Sequence, residues 1–303
     1  MEITPDNSEV MMKVFLPFKA LDALENAEYL DGVAAVLQTA LRKVIRTGNV
    51  KDVLHGVPTG HPLHPMAVQL PIGAWTSAVV LDFVPGAGKA SRVLIAIGVL
   101  SAAPAVLSGW ADWLELHPQQ QRVGVVHSAA NATGTLLFGT SLVLRCCGRI
   151  RAGTIASTLG LATIAVGGTL GGQLAYRQAA GANHAEAVPH LVAPGWHRVG
   201  EVGEFTTGKL QRRMVGNVPV IVWRSANENI AVISNECSHL SGPLSEGTVT
   251  DVNGDPCVEC PWHHSRFSLA TGQVMGGPAT SPQAAFKTRV VNGMVEVSLP
   301  HAG

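Results

Sequence analysis

Four long apolar stretches in the middle of the chain limit what it can fold into. Short segments rich in Gly, Pro, Arg or Gln separate them, and they cover residues 66–84, 93–113, 123–144 and 152–176. About 20 helical residues span a hydrocarbon core of about 30 Å, so each stretch is long enough to cross a bilayer. Only 14% of the 303 residues are charged, whereas soluble domains carry about 25%. The pattern predicts four antiparallel transmembrane helices, and a soluble bundle of buried helices is the less favoured alternative.

The segments on either side of these stretches differ from them in kind. Residues 18–48 carry apolar side chains at three- and four-residue spacing, which is typical of amphipathic helices. They lack the marks of a secretory signal. We therefore expect residues 1–59 to form a helical segment, in the cytosol or on the membrane surface, without chemistry of its own. Residues 178–193 are rich in Ala, Gly and Pro without a period, which indicates a linker between a four-helix domain over residues 60–177 and a second domain over residues 194–303.

The second domain is predicted to be all-β. Short runs of β-branched residues, bounded by Gly, Asn and Pro, cover residues 218–224, 229–235, 285–291 and 293–298. The expected architecture is therefore an all-α four-helix transmembrane bundle followed by an all-β domain.

Two Cys–His pairs lie in loops between the predicted strands. Cys237-x-His239 and Cys260-x-x-His263 are separated by 20 residues. Thiolates are soft anionic ligands and imidazoles are neutral ones, so two such pairs present four metal ligands on two loops. A single tetrahedral Zn²⁺ held by two Cys and two His is one interpretation, and a mixed-ligand iron–sulfur cluster is the other.

The second of these loops resembles a known family. "CPWHHSRFSLATGQVMGGPAT" runs from Cys260 into a Gly-Gly-Pro segment at residues 276–278, and it resembles the second cluster loop of a Rieske [2Fe-2S] ferredoxin and the segment that shields the cluster. The resemblance extends over the β domain. It implies that Cys237 and Cys260 hold one iron of a [2Fe-2S] cluster and that His239 and His263 hold the other. It also implies one-electron transfer rather than a zinc site.

Two further residues near the second loop are alternative ligands. Cys257 forms a Cys-x-x-Cys pair with Cys260, but we expect it to pack in the core at the end of a strand. His264 stands where the family usually has Gly, and it could replace His263 as a ligand. We prefer His263 because it keeps the family's Cys-x-x-His spacing.

Several positions depart from the high-potential members of the family. Gly242 and Trp262 occupy the positions of a disulfide that joins the two loops in respiratory-complex members, so no such disulfide is expected. Ser265 keeps a hydroxyl that can donate to a bridging sulfur, whereas Phe267 stands where those members have a Tyr hydroxyl. Fewer donors to the sulfurs stabilise the reduced cluster less, so we expect a potential nearer about −150 mV than about +300 mV.

The apolar domain has a resemblance of its own. "GHPLHPMAVQLPIGAWTSAVVLDFV", "SGWADW" and "VVHSAAN" are similar to the marks of a bacterial four-helix membrane family with an HPLHP signature, which implies a fold and no activity. Four antiparallel spans bring one set of ionisable residues to the membrane face from which the linker leaves: His61, His64, Asp112, His117 and His127. Ionisable residues at membrane depth are expensive and often functional. A haem b or a quinone site is therefore a hypothesis for this face, with His64 and His127 as the best pair, while a plain anchor is the simplest interpretation.

These features together predict a membrane-anchored one-electron carrier. Its expected partners are electron donor and acceptor proteins or a quinone, together with membrane lipid, and the lack of a basic patch argues against nucleic acid. An oxygenase would need a second domain with two His and a carboxylate for mononuclear iron, and only about forty residues follow His263. We therefore expect an electron-transfer component rather than a stand-alone enzyme. A redox sensor, a membrane scaffold that presents a ferredoxin to a partner, and an accessory component of a Rieske oxygenase system are the alternatives.

The charges near the spans give conflicting indications of sidedness. Basic residues in the two hairpin loops favour a cytoplasmic position for those loops and an external Rieske domain, and they are Lys89, Arg92, Arg145, Arg149 and Arg151. The opposite face is also basic, with Arg42, Lys43, Arg46, Lys51, Arg122 and Arg177. Because there is no twin-arginine signal to export a folded cluster, we expect a cytosolic Rieske domain on a multi-pass protein of the cell membrane.

Overall fold

The computed structural model describes residues 16–46 and 48–299. Its first part is helical and its last part is built of β-strands, as expected. The predicted helical segment before the first span is described only from residue 16 onward, and it is broken into three helices. These are α1 (Leu16–Glu25), α2 (Asp31–Val44) and α3 (Asn49–His55).

The four predicted spans are also helical, with bounds that differ from the apolar stretches. They correspond to α4 (Leu63–Ala67) with α5 (Gln69–Leu81), α6 (Gly88–Trp113), α7 (Pro118–Cys146) and α8 (Ile150–Gly172), and a π-helical turn (Gln173–Arg177) follows the last. The first span is divided because Pro71 has no N–H to donate to the carbonyl of Ala67 four residues earlier, so the helix is interrupted at Val68.

The prediction of four transmembrane helices is confirmed only in part. Gly88–Trp113 and Ile150–Arg177 are, among the described residues, the helices that are both long enough and apolar enough to cross a bilayer. With 13 residues, α5 alone is about 20 Å long, which is less than a hydrocarbon core. α7 is long enough, but its first turns carry Gln120, Gln121 and Arg122. That all four helices cross a membrane remains a prediction.

Small residues allow the helices of this bundle to pack closely. Consecutive helices from α5 to α8 lie against one another, and α5 also packs on α8. Trp75 stacks on Phe138 with ring centroids 4.5 Å apart, and the other side of its indole covers Gly98, where a Cβ atom would lie 2.3 Å from the ring nitrogen. In a lipid bilayer no hydrophobic force drives helices together. Small residues that let the helices approach closely then contribute to their association.

The end of the bundle with the two hairpin loops is held by a buried ion pair. Arg145 on α7 donates to both carboxylate oxygens of Asp82, at 2.7 and 2.5 Å, and the two side chains are 2% and 1% exposed. Ser91 on α6 and Ser157 on α8 also donate to this carboxylate. Because Asp82 directly follows α5, one carboxylate connects all four helices.

The β domain consists of two antiparallel sheets. The six-stranded sheet has the order β1-β10-β9-β4-β3-β2 and the four-stranded sheet has the order β5-β6-β7-β8. The strands are β1 (His197–Glu201), β2 (Leu210–Val215), β3 (Val218–Arg224), β4 (Ile230–Ser234), β5 (Thr248–Val252), β6 (Asp255–Glu259), β7 (Arg266–Ser268), β8 (Val274–Gly276), β9 (Ala285–Val291) and β10 (Met294–Ser298). The all-β prediction is confirmed, and the four strands expected from β-branched runs lie within one residue of β3, β4, β9 and β10.

The segment between the two domains packs on the β domain. It contains a short helix, α9 (Val188–Leu191), and its Ala185, Val188 and Val192 are buried in the same core as the six-stranded sheet. The main-chain N–H of His184 donates to the carbonyl of Ser238 at 2.9 Å. The connection is therefore attached to the loop that carries the first Cys–His pair.

Removal of the Asp82 carboxylate is expected to destabilise the helical domain strongly. Asp82→Ala leaves the Arg145 guanidinium buried without its counter-charge, which should cost about 3–5 kcal/mol of unfolding free energy. Thermal unfolding followed by circular dichroism in detergent measures this. Glu186→Ala is the control, because it removes an exposed i,i+4 partner of His190 and should cost less than about 1 kcal/mol. Equal effects of the two substitutions would contradict the role assigned to Asp82.

Candidate metal centre

Two loops of the β domain present the paired Cys and His residues. The first follows β4 and carries Cys237 and His239, and the second follows β6 and carries Cys260 and His263. Both are tightly turned by main-chain hydrogen bonds. The Cys237 N–H donates to the Gly242 carbonyl at 2.9 Å, and the Cys260 N–H donates to the Ser265 carbonyl at 2.8 Å. The cysteine at the start of each loop is therefore fixed by the loop's own backbone.

The two thiols are buried next to each other. Cys237 is 1% exposed and Cys260 is 2% exposed. Their interaction lowers the pKa of Cys260 to about 6 and raises the pKa of Cys237 well above its usual value, with burial acting in the same direction on Cys237. The pair thus holds one negative charge readily at neutral pH. A second thiolate requires a cation, and a metal ion supplies one.

The two imidazoles also lie side by side. The rings of His239 and His263 have centroids 5.0 Å apart and are nearly perpendicular. Burial lowers the pKa of His239 well below its usual value, and burial also lowers the pKa of His263. Both rings are therefore neutral at physiological pH, which is the state that binds metal. The Nδ1 atom of His239 is buried and has no hydrogen-bond partner among the described residues, so it is available as a ligand.

The space around the four side chains fits a two-iron cluster. A Cβ atom at Gly242 would lie 2.8 Å from the sulfur of Cys260, and one at Gly277 would meet the backbone of the second loop at 2.7 Å. These glycines leave the room that loops closing on a cluster require. Among the described residues, no three His, Cys, Asp or Glu side chains converge on a single ion. A binuclear cluster is compatible with this, since each iron takes only two protein ligands.

The two alternative ligands lie away from this point. Cys257 is fully buried in β6, its sulfur is 3.2 Å from the carbonyl of Asp255, and burial raises its pKa to about 11. His264 is exposed and its Nδ1 is 3.0 Å from a carboxylate oxygen of Glu259. Its φ of +59° is the left-handed conformation that favours Gly. This conformation directs His264 away from His239, whereas His263 lies beside it.

The two residues expected to tune the cluster are buried behind it. The Ser265 hydroxyl accepts a hydrogen bond from the N–H of Ala279 at 3.1 Å, so its own proton is free to be donated. Phe267 is fully buried in the apolar cluster that includes both metal-site cysteines, and it offers no donor. Ser265, in the loop of Cys260, therefore offers a hydroxyl donor, whereas Phe267 offers only an apolar ring.

The helical domain contacts the metal-site loops directly. The carboxylate of Asp52, on α3, accepts a hydrogen bond from the N–H of Gly277 at 2.8 Å and lies 3.7 Å from the guanidinium of Arg266. The ring of His117, at the start of α7, is 6.1 Å from the rings of both Trp262 and His263. The cluster loops are thus docked on the end of the helical bundle.

The structure separates the predicted membrane-face residues into different sites. His117 lies at the domain interface, and Asp112 accepts the Nδ1 hydrogen of His55 at 2.8 Å. His64 and His127 lie within the bundle with ring centroids 6.2 Å apart. His61 is exposed and joins neither group. The residues predicted as one cluster are therefore divided. Asp112 and His117 lie near the domain interface, and His64 and His127 form a separate pair.

Sequence reasoning missed Asp52 and His55. The segment before the first span was expected to carry no chemistry, yet its last helix supplies a carboxylate and a fully buried imidazole to the interface. Neither residue belongs to a motif. His55 contacts a residue 57 positions away, and Asp52 contacts one 225 positions away. No local pattern reveals such contacts.

Comparisons with known proteins agree with the two-domain description. Residues 195–288 match the model of the Rieske [2Fe-2S] domain, and residues 60–184 match that of a predicted membrane protein (DUF2231). The anthranilate 1,2-dioxygenase ferredoxin subunit of Burkholderia cepacia is 38% identical over 104 residues, which are 34% of this chain and 92% of that protein. The 3-phenylpropionate/cinnamic acid dioxygenase ferredoxin subunit of Escherichia coli is 36% identical over 84 residues, 28% of this chain and 76% of that protein. Among solved structures, the ferredoxin of carbazole 1,9a-dioxygenase from Nocardioides aromaticivorans is 27% identical, with 35% of this chain and 98% of that one covered and a TM-score of 0.32.

The fold and the site define an iron–sulfur protein whose β domain is docked on a helical domain. The chain belongs to the Rieske [2Fe-2S] family. Its β domain therefore carries a [2Fe-2S] cluster when loaded, and it is related to ferredoxin subunits that transfer electrons.

Single substitutions should distinguish the four ligands from their neighbours. Replacing Cys237 or Cys260 by Ser, or His239 or His263 by Ala, should abolish the electron paramagnetic resonance (EPR) signal of the reduced cluster. Cys257→Ser and His264→Gly should retain it, since neither side chain faces the other ligands. His264→Gly should also unfold at a slightly higher temperature, by relief of about 1 kcal/mol of backbone strain. Loss of the cluster in His264→Gly together with its retention in His263→Ala would reverse the assignment.

Proposed function

We propose that this protein is a membrane-anchored one-electron carrier in which Cys237 and Cys260 hold one iron and His239 and His263 the other. The main support is the geometry of the two loops, which bring two thiols and two neutral imidazoles together beneath a shielding Gly-Gly-Pro segment. The cluster supplies reversible one-electron redox chemistry when it is bound. The protein side chains hold it, screen it from water and set its potential. As a carrier it requires a donor and an acceptor, which the family resemblance suggests are proteins.

The outer surface of the helices supports a membrane location for the whole bundle. Large apolar side chains are exposed on each of the four long helices, and the most exposed are Leu70, Val80, Val93, Leu100, Leu136, Val143, Ile155, Leu159 and Val166. The interior instead holds the Asp82–Arg145 pair. A soluble monomer rarely exposes an apolar surface this extensive. Lipid accounts for an extensive apolar exterior around a buried ion pair, so we propose that all four helices are embedded and that α5 is accommodated together with α4.

An accessory role in an oxygenase system is the second candidate. Both relatives described above are ferredoxin subunits of dioxygenases. The exposed indole of Trp262 next to His263 offers an apolar surface at the cluster edge for a protein partner. A ferredoxin of this kind would receive or deliver electrons there while the helical domain holds it at the membrane. A redox sensor or a scaffold would use the same cluster without sustained turnover.

EPR-monitored potentiometry of the purified membrane protein tests the proposed carrier. The reduced protein should show a Rieske signal with a mean g value below the free-electron value and a potential in the lower part of the family's range. Phe267→Tyr adds a donor near the sulfurs and should raise the potential. A differential hydrogen-bond energy of about 1 kcal/mol corresponds to ~40 mV, since 59 mV is a tenfold change for one electron. Ser265→Ala should lower the potential by a similar amount. Absence of any such signal from fully iron-loaded protein would overturn the proposal.

We also propose that the Rieske domain faces the cytosol, the side on which basic residues such as Lys51, Arg122 and Arg177 are favoured. Cys146 and Cys147 are exposed at the far end of α7, whereas His117 at its near end contacts the Rieske domain. The other three cysteines are buried. A membrane-impermeant maleimide should therefore label intact cells through Cys146 and Cys147, and the labelling should be lost in the Cys146→Ser, Cys147→Ser double variant. Labelling that appears only after the cells are permeabilised would place the Rieske domain outside.

A haem between His64 and His127 does not fit the packing of the bundle. Two glycines of α8 beside the pair are covered, since Asn131 fills the space at Gly167 and the ring of His127 lies over Gly171. The Nδ1 atoms of His64 and His127 are each 2.8 Å from a main-chain carbonyl. With Nδ1–H donating to that carbonyl, Nε2 is left as an acceptor. An Nε2 lone pair could bind haem iron or accept from a quinol hydroxyl, so the filled space beside Gly167, rather than the tautomer, argues against haem.

Quinol oxidation is the activity that tests this histidine pair. If quinol reduces the cluster through His64 and His127, the rate of cluster reduction by quinol should fall at least tenfold in the His64→Ala, His127→Ala double variant. His61→Ala is the control, because His61 is exposed and outside the pair. Equal reduction rates in the wild type and the double variant would make the helical domain a plain anchor.

A further inference from the structure

His55 is a buried imidazole that the proposed carrier function does not yet use. It is the last residue of α3, its side chain is fully buried, and its Nδ1 is 2.8 Å from a carboxylate oxygen of Asp112 on α6. Its Nε2 is buried without a hydrogen-bond partner among the described residues. A carboxylate accepts a hydrogen bond, so Nδ1 carries the proton and Nε2 carries a lone pair. His55 is therefore a buried acceptor that lacks a donor, which is costly unless one is supplied.

A small cavity between the two domains connects His55 with a cluster ligand. His55 and Asp112 line it from the helical side, and His239 and Ser281 line it from the Rieske side. Its volume of about 30 Å³ is enough for one or two water molecules and too small for an organic ligand. Water is thus the group that can occupy the space between the two imidazoles.

His239 has a donor to offer to this cavity. Its Nδ1 is the buried, unpartnered nitrogen that is available to iron. With Nδ1 committed to the metal, the other ring nitrogen carries a proton, and ligating histidines almost always donate that proton to a second group. The described residues of the Rieske domain provide no hydrogen-bond acceptor for His239. On the opposite wall of the cavity, the buried and unpartnered Nε2 of His55 can accept a hydrogen bond.

We propose that His55, oriented by Asp112, is a positioning residue for the cluster: it accepts a hydrogen bond from the outer N–H of His239 through water in the cavity between the domains. The inference rests on the proposed function, since it requires the cluster. Asp52 lies three residues before His55 on the same helix and binds Gly277 of the Rieske domain, so the contact exists only when the domains are docked. Docking then lowers the reduction potential. A hydrogen bond accepted by His55 makes the His239 imidazole a stronger electron-pair donor to iron, and this favours the oxidised state.

The experiment compares midpoint potentials of cluster-loaded, full-length protein at one fixed pH by EPR-monitored titration. His55→Leu removes the acceptor without a change of charge and should shift the midpoint to a higher potential than that of the wild type. His55→Gln keeps a side-chain oxygen that can accept and should give an intermediate value. His61→Gln is the control, because it removes an exposed histidine outside the cavity, and it should leave the midpoint unchanged. A structural role alone would reduce the cluster content but not move the midpoint of the clusters that remain.

A second variant keeps the test decisive if the His55 variants do not fold. Asp112→Asn presents an amide N–H to Nδ1 and so turns the Nε2 of His55 into a donor, which cannot accept from His239. It should raise the midpoint more than Glu115→Gln, which removes another buried carboxylate from the same end of the bundle. Unchanged midpoints in His55→Leu, or equal shifts in Asp112→Asn and Glu115→Gln, would overturn the inference while the wild-type signal still supports the carrier. A wild type without a Rieske signal would overturn the carrier itself.

Discussion

The contact between Asp52 and the Gly-Gly-Pro segment joins the helical domain to the loops of the metal site. One carboxylate accepts the main-chain N–H of Gly277 and lies near Arg266. A hydrogen bond to a charged group contributes about 1.5–3 kcal/mol, and here it acts on the segment that shields the cluster. A Cβ atom at Gly277 would clash with the backbone of the second cluster loop. The same residue therefore closes the metal site on one side and binds the helical domain on the other.

The helical domain and the β domain place their large apolar side chains differently. The interior of the helical domain contains the Asp82–Arg145 pair and glycine notches filled by Trp75 and Ile164, and large aliphatic side chains also lie on its outer surface. In the β domain, Val, Ile, Leu and Phe are buried between the sheets. In the membrane location proposed above, no hydrophobic force acts between helices, so close packing and internal polar contacts hold them together. The buried carboxylate that connects four helices does this at the end away from the cluster.

Local sequence patterns predicted individual strands and loops better than contacts between distant parts of the chain. Runs of β-branched residues located β3, β4, β9 and β10 to within a residue, because strand periodicity is a local property. The spacing of Cys237, His239, Cys260 and His263 predicted one site, since each pair lies within a single turn of the chain. The pairing of His55 with Asp112 was missed because it depends on how α3 returns to the end of α6.

The two histidines of the metal site have different surroundings, although the family resemblance assigns them equivalent roles. His239 is 8% exposed, and it borders a small cavity whose opposite wall is the helical domain. His263 is less buried, and its ring lies 6.5 Å from that of Trp262 and 6.1 Å from that of His117, both of which are exposed. Of the two imidazoles, that of His263 is therefore the more accessible from the surface. In the carrier proposed above, a protein partner would meet the site at His263 and Trp262, whereas the cavity beside His239 is lined by residues of both domains. Docking would thus give the proposed cluster two unlike surroundings, one for each of its two histidines.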